Sequence, residues 1–348
     1  MVKGLKLTDF TCFGDVSLDF CAGINVFIGA NATGKTHLLK LLAACLKSGE
    51  ELTNGAVLSR ERAETILSSK LLGYFRPERI GRLVRRKQGR TRSEVKIKVQ
   101  GSNALQFKFA TNSQNVKIEN FQGLPKLASL YLPPREMLSL YEGFIGLYEG
   151  REVAFDETYY QLVKALNSPL LRGARLSEIK DLVEPIEAET GVRVVRESER
   201  FYLKEAGDKI EMHLVAEGMR KIATIIYLLT NGKLSKNTVL FWDEPEANLN
   251  PRLVRVVAGL LRQLAANKIQ IFIATHDFLL THYLSLFQEY AEAPKPELRF
   301  FSLQKDEEQE IIIDHGETLA ALQNNLILDE FAVYHDLEQQ YFNQALSR

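Results

Sequence analysis

The chain has 348 residues, of which 45% are hydrophobic, and equal numbers of basic and acidic residues leave it without net charge at neutral pH. This composition indicates a globular chain with a sizeable core, in about two domain-sized units. The longest apolar runs, at residues 222–229 and 269–274, are far shorter than the ~20 residues that cross a bilayer, so we expect no membrane span. The cysteines, Cys12, Cys21 and Cys45, lack metal-type spacing, and the N-terminus lacks a secretory pattern, which together predict a cytoplasmic protein.

The first predicted elements are short strands at residues 5–7, 16–20 and 25–27, which we expect to form one small sheet. The β-branched, apolar run 24–28 then leads into Gly-Ala-Asn-Ala-Thr-Gly-Lys-Thr at residues 29–36, and leucines follow at helical spacing. A strand, a glycine-containing loop and a helix in this order predict a phosphate-binding loop.

Each residue type in this loop suits a polyphosphate. Gly29 and Gly34 let the backbone turn so that successive N–H groups point at phosphate oxygens, and the helix N-terminus adds its positive dipole end. Lys35 would reach the outer phosphates, and the Thr36 hydroxyl would ligate Mg²⁺. We predict that Asn31, Gly34, Lys35 and Thr36 contact a nucleotide.

The middle of the chain has strand-like patterns first and helical patterns after them. Alternating apolar residues at 95–99 and 105–109 predict an antiparallel hairpin, and residues 130–132 predict a buried strand that two prolines end. Residues 156–190 have apolar positions at three- and four-residue steps, which indicates a helical insert. Several arginines around position 85, including Arg82, Arg85, Arg86 and Arg90, form a basic region. This region is either a surface for phosphate backbones or acidic partners or a solvated rim, and the acids at 306–310 would form a repelling face elsewhere.

Strands and helices alternate in the last part of the chain. We predict a strand meander at 192–203, helices at 218–229, at 251–266 and after residue 277, and strands at 238–242 and 269–274, with two amphipathic helices in 317–346. This alternation implies an α/β fold with a parallel sheet covered on both faces.

Two of these strands end in polar side chains that suit phosphate chemistry. The strand before Asp243 and Glu244 is apolar, so Asp243 would hold Mg²⁺ through water while Glu244 orients and deprotonates an attacking water. His276 follows the next strand and would contact the terminal phosphate.

The phosphate loop, the sequence Phe-Trp-Asp-Glu-Pro-Glu-Ala-Asn-Leu-Asn-Pro at 241–251 and Ala-Thr-His-Asp at 274–277 resemble the ABC-type ATPase heads of the SMC, RecF and OLD-nuclease group. The resemblance implies ATP and Mg²⁺ as cofactors and a head with an antiparallel N-terminal sheet, a parallel core sheet and a helical insert. It divides the chain into an N-terminal ATPase lobe at 1–134, the insert at 135–190 and a C-terminal lobe at 191–348.

The resemblance also implies a homodimer that sandwiches two nucleotides. Residues 215–220 occupy the signature position, where Ala216, Glu217, Gly218 and Arg220 would contact the ATP of a second subunit, and Asn250 stands at the aspartate position of the D-loop. The usual signature serine is Ala216, which favours slow hydrolysis. The family has a loop with a glutamine at this point of the chain, but the loop after residue 132 has no clear counterpart of that glutamine. Glu136 is a candidate to replace it as a contact for metal or water.

The functional hypotheses differ in what the ATP does. Resemblance to stand-alone ATPases of anti-phage and retron-type systems implies an ATP-dependent dimer that regulates a separately encoded effector, a nuclease or toxin. A second hypothesis is an ATP-bound scaffold without turnover that holds such a partner inactive. A third is a RecF-like DNA repair or recombination clamp, in which Arg82, Arg85 and Arg86 contact nucleic acid.

Overall fold

The structure, a computed structural model, describes residues 1–53, 59–87, 89, 91–101, 104–119, 121–205, 207–292 and 295–346. The strands are β1 (Val2–Thr8), β2 (Val16–Asp19), β3 (Ile24–Gly29), β4 (Arg92–Val99), β5 (Leu105–Ala110), β6 (Lys117–Glu119), β7 (Ser129–Leu132), β8 (Arg193–Glu197), β9 (Arg200–Glu205), β10 (Asp208–Glu211), β11 (Val239–Asp243), β12 (Gln270–Thr275), β13 (Leu298–Lys305) and β14 (Ile311–Gly316). The helices are α1 (Lys35–Thr53), α2 (Arg60–Phe75), α3 (Phe144–Glu149), α4 (Glu157–Leu166), α5 (Ala174–Thr190), α6 (Glu217–Thr230), α7 (Pro251–Ala266), α8 (Phe278–Tyr290) and α9 (Leu326–Leu346). In the described part of the chain, no helix is both long and apolar enough to cross a membrane.

A six-stranded sheet forms the centre of the molecule, in the order β14-β13-β3-β12-β11-β7. Five of its strands are parallel and β14 pairs antiparallel at one edge. The α/β fold with both antiparallel and parallel sheets is therefore confirmed. The carboxyl ends of β3, β11 and β12 lie together, where ligands bind in open parallel sheets.

Apolar side chains cover both faces of this sheet because successive residues of a strand point to opposite sides. Val26 and Ile28 pack into a core with α6, α7 and α8, whereas Phe27 packs into a core with α1 and the N-terminal sheet. On the second face an aromatic row crosses five strands, with adjacent ring centroids 5.2–6.5 Å apart. Its members are Tyr131, Phe241, Phe272, Phe27 and Phe301. The row holds the strands in register beside the phosphate loop.

An antiparallel sheet, in the order β2-β1-β4-β5-β6, forms the other layer. The predicted hairpin is its β4 and β5 pair, although Ser102 and Asn103 of the turn lie outside the described residues. The prediction that residues 25–27 share a small sheet with residues 5–7 and 16–20 is wrong, because this run is β3 of the central sheet. Its six residues are all buried, as a strand covered on both faces requires.

The helices of the predicted insert, α3, α4 and α5, contribute to the same apolar core as α6 and α7. The domain boundaries at 134 and 190 stay a prediction. Helix α2 was not predicted; it has Ser59 as N-cap and packs on α1. The C-terminal tail differs from the two predicted helices, because residues 319–321 form one short 3₁₀ turn and α9 is a single helix. Phe331, Val333 and Leu337 of the expected packing faces are exposed.

Candidate nucleotide site

The turn between β3 and α1 has the backbone geometry of a phosphate cradle. Gly29 and Gly34 have φ of +144° and +92°, and α1 begins at Lys35. A Cβ on Gly34 would lie 2.5 Å from the Sγ of Cys12 and 2.5 Å from the Cζ of Phe13, so this position accepts only glycine without rearrangement. The packing that forces the glycine also holds the loop rigid at the helix N-terminus, where phosphate groups bind.

Lys35 is held inside this turn by backbone oxygens. Its Nζ donates to the carbonyl of Gly29 over 2.7 Å and to that of Ala30 over 2.8 Å. Burial lowers the pKa of Lys35, and the nearby carboxylates of Glu244, Asp243 and Glu246 oppose that shift. A desolvated ammonium with carbonyl partners alone gains strongly from an anionic ligand, which suits contact with phosphate oxygens.

Asp243 joins the end of β11 to the phosphate loop. Its Oδ1 accepts a hydrogen bond from the Thr36 hydroxyl over 3.0 Å, and its Oδ2 accepts one from the Tyr131 hydroxyl, also over 3.0 Å. Asp243 is 2% exposed, and burial raises its pKa from 3.8 to about 6 although both hydrogen bonds oppose that shift. A hydroxyl and a carboxylate oxygen in contact are hard donors of the kind that Mg²⁺ prefers, so this pair fits the ion.

Glu244 and His276 lie at the open side of the same strand ends. The backbone of Glu244 is left-handed, with φ of +49°, and its N–H donates to the carbonyl of Ala274 over 2.9 Å. This turn directs the carboxylate outward, and Oε1 lies 3.8 Å from the Nδ1 of His276. Both side chains are more than one third exposed. His276 and Asn31 line one cavity of about 550 Å³ beside the phosphate loop.

The predicted signature residues form a second site. A groove of about 400 Å³, here called the signature groove, is lined by residues that include Ala216, Glu217, Gly218, Asn250 and Arg252. A Cβ on Gly218 would lie 2.8 Å from the Cδ2 of Leu249, so the glycine allows α6 to pack against the segment before α7. Among the described lining residues, the signature groove and the phosphate-loop cavity have none in common. The two cavities are therefore separate from each other within one chain.

Comparison with known proteins finds matching domain families and solved structures of similar fold. The family described as "AAA domain" matches residues 5–142, and the family described as "AAA domain, putative AbiEii toxin, Type IV TA system" matches residues 125–281. The crystal structure of an Smc head bound to the C-winged-helix domain of ScpA has a TM-score of 0.55 to this chain at 13% identity, covering 92% of this chain and 98% of that one. A second Smc head, bound to the C-terminal domain of ScpA from Pyrococcus furiosus, has a TM-score of 0.52 at 12% identity, covering 97% and 99%.

The fold is that of an SMC-like ABC ATPase head. A curated relative, the Structural maintenance of chromosomes protein 6 of Dictyostelium discoideum, is 31% identical over 133 residues, which is 35% of this chain. The chain spans about a tenth (11%) of the length of that relative.

Three side chains predicted to contact nucleotide, metal or water have other partners in the structure. Arg220 was expected to face the phosphate of a second subunit, but its Nη1 donates to the carbonyls of Met212 and Val215 over 3.1 and 2.7 Å. Its Nε lies 2.7 Å from the Oε1 of Glu136, as an ion pair without the geometry of a linear hydrogen bond. Arg220 therefore braces the chain before α6 instead of lining the open groove.

The same interaction corrects the role of Glu136. It was a candidate contact for metal or water, yet its carboxylate accepts from the backbone N–H groups of Leu138 and Ser139 and pairs with Arg220. Asn250 lines the signature groove as expected, but its Oδ1 accepts from the N–H of Leu253 over 3.0 Å. This bond makes it the N-cap of α7.

Two further residues of the site were not predicted as functional. Tyr131 holds Asp243, as described above, and the sequence offered only an apolar strand around it. Glu246 is 7% exposed, and its Oε1 accepts from the Thr275 hydroxyl over 2.7 Å, which ties the segment after Glu244 to the residue before His276. Its Oε2 is buried without a hydrogen-bond partner among the described residues, and burial raises the pKa of Glu246. In the sequence, the position of Glu246 two residues after Glu244 was the signal that could have indicated its role.

The basic region around Arg85 is not separate from the acidic cluster at 306–310, contrary to expectation. Both guanidinium Nη atoms of Arg85 pair with the carboxylate of Glu310. Arg82 pairs with Glu78 on the surface, Arg86 is exposed, and Arg90 lies outside the described residues. Arg82 and Arg86 are thus more accessible to an anionic partner than Arg85.

Proposed function

We propose that this ATPase head binds ATP with Mg²⁺, closes into a two-fold dimer around two nucleotides and hydrolyses them. The observation that carries this proposal is the 3.0 Å contact between the Thr36 hydroxyl and Asp243, with Glu244 next in the chain. It joins the end of the phosphate-loop turn to the first of the two acids. The two separate grooves support the dimer, since the signature groove of a second copy would complete the phosphate site of the first.

Each residue has a role that follows from its position. Lys35 would contact the outer phosphates, and Thr36 and Asp243 would hold Mg²⁺, which would supply positive charge to the phosphate oxygens. In the described ranges no group of three or more His, Cys, Asp or Glu could hold a metal ion. Glu244 accepts the proton of the water whose oxygen attacks the γ-phosphorus, while the bond to the β–γ bridging oxygen breaks and ADP leaves.

Ala216 supports slow turnover. It is the N-cap residue of α6, and its methyl group supplies neither a cap nor a hydroxyl donor to a facing phosphate. The guanidinium of Arg220 is engaged within its own chain. Backbone N–H groups at the start of α6 and the exposed guanidinium of Arg252 therefore remain as donors in the signature groove.

The separate effector rests on resemblance. The match to a family described with AbiEii toxin and a type IV toxin–antitoxin system supports anti-phage defence, and the Smc head that binds ScpA supports a protein partner. In this proposal the ATP-bound dimer and the open monomer differ in their affinity for the effector, a nuclease or toxin. The head acts as a nucleotide-dependent switch in the cytoplasm.

Glu244→Gln tests this proposal because it keeps the volume and polarity of the side chain but removes the base. We expect the variant to bind ATP as the wild type does and to accumulate as a dimer with ATP and Mg²⁺, measured by light scattering after size-exclusion chromatography. Glu307→Gln, an exposed acid outside the site, is the control. An equal monomer fraction with and without ATP in Glu244→Gln would contradict the proposal.

A scaffold that binds ATP without turnover is a second candidate, favoured by Ala216 and by the engaged Arg220. Phosphate release separates the two functions. Release by the wild type that Glu244→Gln abolishes supports the ATPase, whereas release at background level together with ATP-dependent dimerisation supports the scaffold. Co-purification of proteins encoded by neighbouring genes, with and without ATP, would identify the effector.

A further inference from the structure

Helix α9 carries an apolar and acidic surface that its own chain leaves exposed. Residues 329–343 are all exposed, and six of them are large apolar or aromatic residues with exposed fractions between 46% and 70%. These are Phe331, Val333, Tyr334, Leu337, Tyr341 and Phe342. The same segment contains four acids, Asp329, Glu330, Asp336 and Glu338, and no lysine or arginine. So much apolar surface on one helix indicates a contact surface.

The first turns of α9 lie beside the nucleotide site. The rings of Phe331 and Phe278 stack with centroids 4.9 Å apart, and Phe278 begins α8 two residues after His276. Glu330 and Tyr334 line the same cavity as Asn31 and His276. Anything that approaches the phosphate loop from its open side therefore meets α9.

The signature groove leads onto a surface of opposite charge. Helix α7 begins at the edge of this groove and contains three arginines, Arg252, Arg255 and Arg262, and no acidic residue. Arg252 lines the groove, and Arg252 and Arg255 are exposed. The groove itself also contains Glu189 and Glu217, so the complementary charge comes from α7.

From these positions we infer that the occupant of the α9 surface is a second copy of this chain, bound through its signature groove and α7. The inference rests on the proposed dimer, in which the signature groove of one copy faces the phosphate loop of the other. Because α9 adjoins the phosphate loop and α7 adjoins the signature groove, the two helices meet across the interface. Two-fold symmetry repeats the contact, so each substitution alters the dimer interface at two places.

A charge-exchange experiment tests this contact in the Glu244→Gln background with ATP and Mg²⁺. Glu330→Lys with Glu338→Lys should weaken dimerisation roughly tenfold or more, and so should Arg252→Glu with Arg255→Glu, because each puts like charges opposite one another twice. The chain with all four changes should regain dimer affinity, since the lysines introduced on α9 then face the glutamates introduced on α7. Sedimentation equilibrium gives the dimer dissociation constants.

Two further variants keep the test specific. Tyr334→Ala removes an aromatic ring that is 60% exposed and should weaken the dimer without unfolding the head. Glu307→Lys with Glu308→Lys reverses two exposed acids away from α9 and should change nothing. Binding of a fluorescent ATP analogue to the monomer verifies that each phosphate loop is intact.

The outcomes separate this inference from the proposed function. If the Glu244→Gln protein dimerises with ATP and the α9 variants leave its dimer dissociation constant unchanged, the α9 contact is overturned. The proposal of an ATP-dependent dimer is then unaffected. If both charge reversals weaken dimerisation but the variant with all four changes does not regain dimer affinity, then α7 of a second copy is not the occupant of the α9 surface. A background protein that stays monomeric with ATP overturns the dimer itself and the α9 contact with it.

Discussion

The hydroxyl of Thr36 donates to the carboxylate of Asp243 over 3.0 Å, although the two residues are 207 positions apart in the chain. Thr36 is fixed by the start of α1 and Asp243 by the end of a buried strand, so the contact needs no ligand to form. Because the Asp243 carboxylate is buried, its negative charge lowers the free energy of unfolding of the nucleotide-free protein. That cost can be measured.

Asp243→Asn should stabilise the nucleotide-free protein at alkaline pH. The pKa of Asp243 is about 6 in the fold and 3.8 as the reference, so above pH 6 the buried charge reduces the free energy of unfolding by up to about 3 kcal/mol. Between pH 6 and 3.8 the folded state binds a proton that the unfolded state does not, and the cost falls as pH falls. Urea denaturation at pH 8, 7, 6 and 5 should therefore give a gain for Asp243→Asn that shrinks below pH 6.

The exposed acid Asp208 offers the control, because Asp208→Asn should give no gain that depends on pH in this way. Asp243→Asn should also lose stabilisation by Mg²⁺ with ATP. A variant less stable than the wild type at pH 8 would mean that the bonds from Thr36 and Tyr131 to the charged carboxylate outweigh its burial.

Gly218→Ala should impair hydrolysis while leaving the affinity of the monomer for ATP intact. The added Cβ would lie 2.8 Å from the Cδ2 of Leu249 and 3.3 Å from the carbonyl oxygen of Asn248, so the Leu249 side chain must move and Asn248, which lines the signature groove, must adjust slightly. Overpacking of this kind costs about 1–3 kcal/mol of stability. Steady-state phosphate release and nucleotide titration measure the two effects.

Gly146→Ala is the matched control, since Gly146 is inside α3 and a Cβ there would meet nothing within 4 Å among the described residues. Alanine should stabilise that helix slightly. Equal phosphate release by Gly218→Ala and the wild type would show that the groove takes no part in turnover.

The hypothesis of a nucleic-acid contact now makes a sharper prediction. If duplex DNA binds at the basic region, Arg82→Ala with Arg86→Ala should weaken binding and reduce its salt dependence, because both guanidinium groups are accessible. Arg85→Ala should have little effect, since Glu310 already neutralises Arg85, and Glu310→Gln should strengthen binding by freeing it. Fluorescence anisotropy over a salt series measures all three. Loss of binding in Arg85→Ala alone would contradict this assignment.

Local signals in the sequence explain which parts of the site could be predicted. The phosphate loop depends on glycines at positive φ and on a strand and helix that flank it, and these features are contiguous. The acids Asp243 and Glu244 follow an apolar strand whose burial is visible in its composition. Helix α7 was predicted with the boundaries that the structure has, because Asn250 and Pro251 are strong start signals.

Long-range partners explain the failures. Arg220 in the signature motif is satisfied by Glu136 and by carbonyls of its own chain, and Arg85 is satisfied by Glu310, 225 positions away. Neither pair has a spacing that a sequence pattern could reveal. The tail was predicted as packed helices because its apolar residues have helical spacing, yet spacing cannot tell whether an apolar face meets its own core or a second molecule.

The sequence by itself determined the strand, turn and helix that can hold phosphate and the acids at the end of a buried strand, because backbone freedom and hydrophobic burial are properties of neighbouring residues. Only the tertiary structure decided which side chains remain free for a ligand. The partners that a charged side chain finds in the fold depend on contacts between distant segments. The fold places Asp243 against the Thr36 hydroxyl of the phosphate loop, whereas it pairs Arg220 with Glu136 and backbone carbonyls.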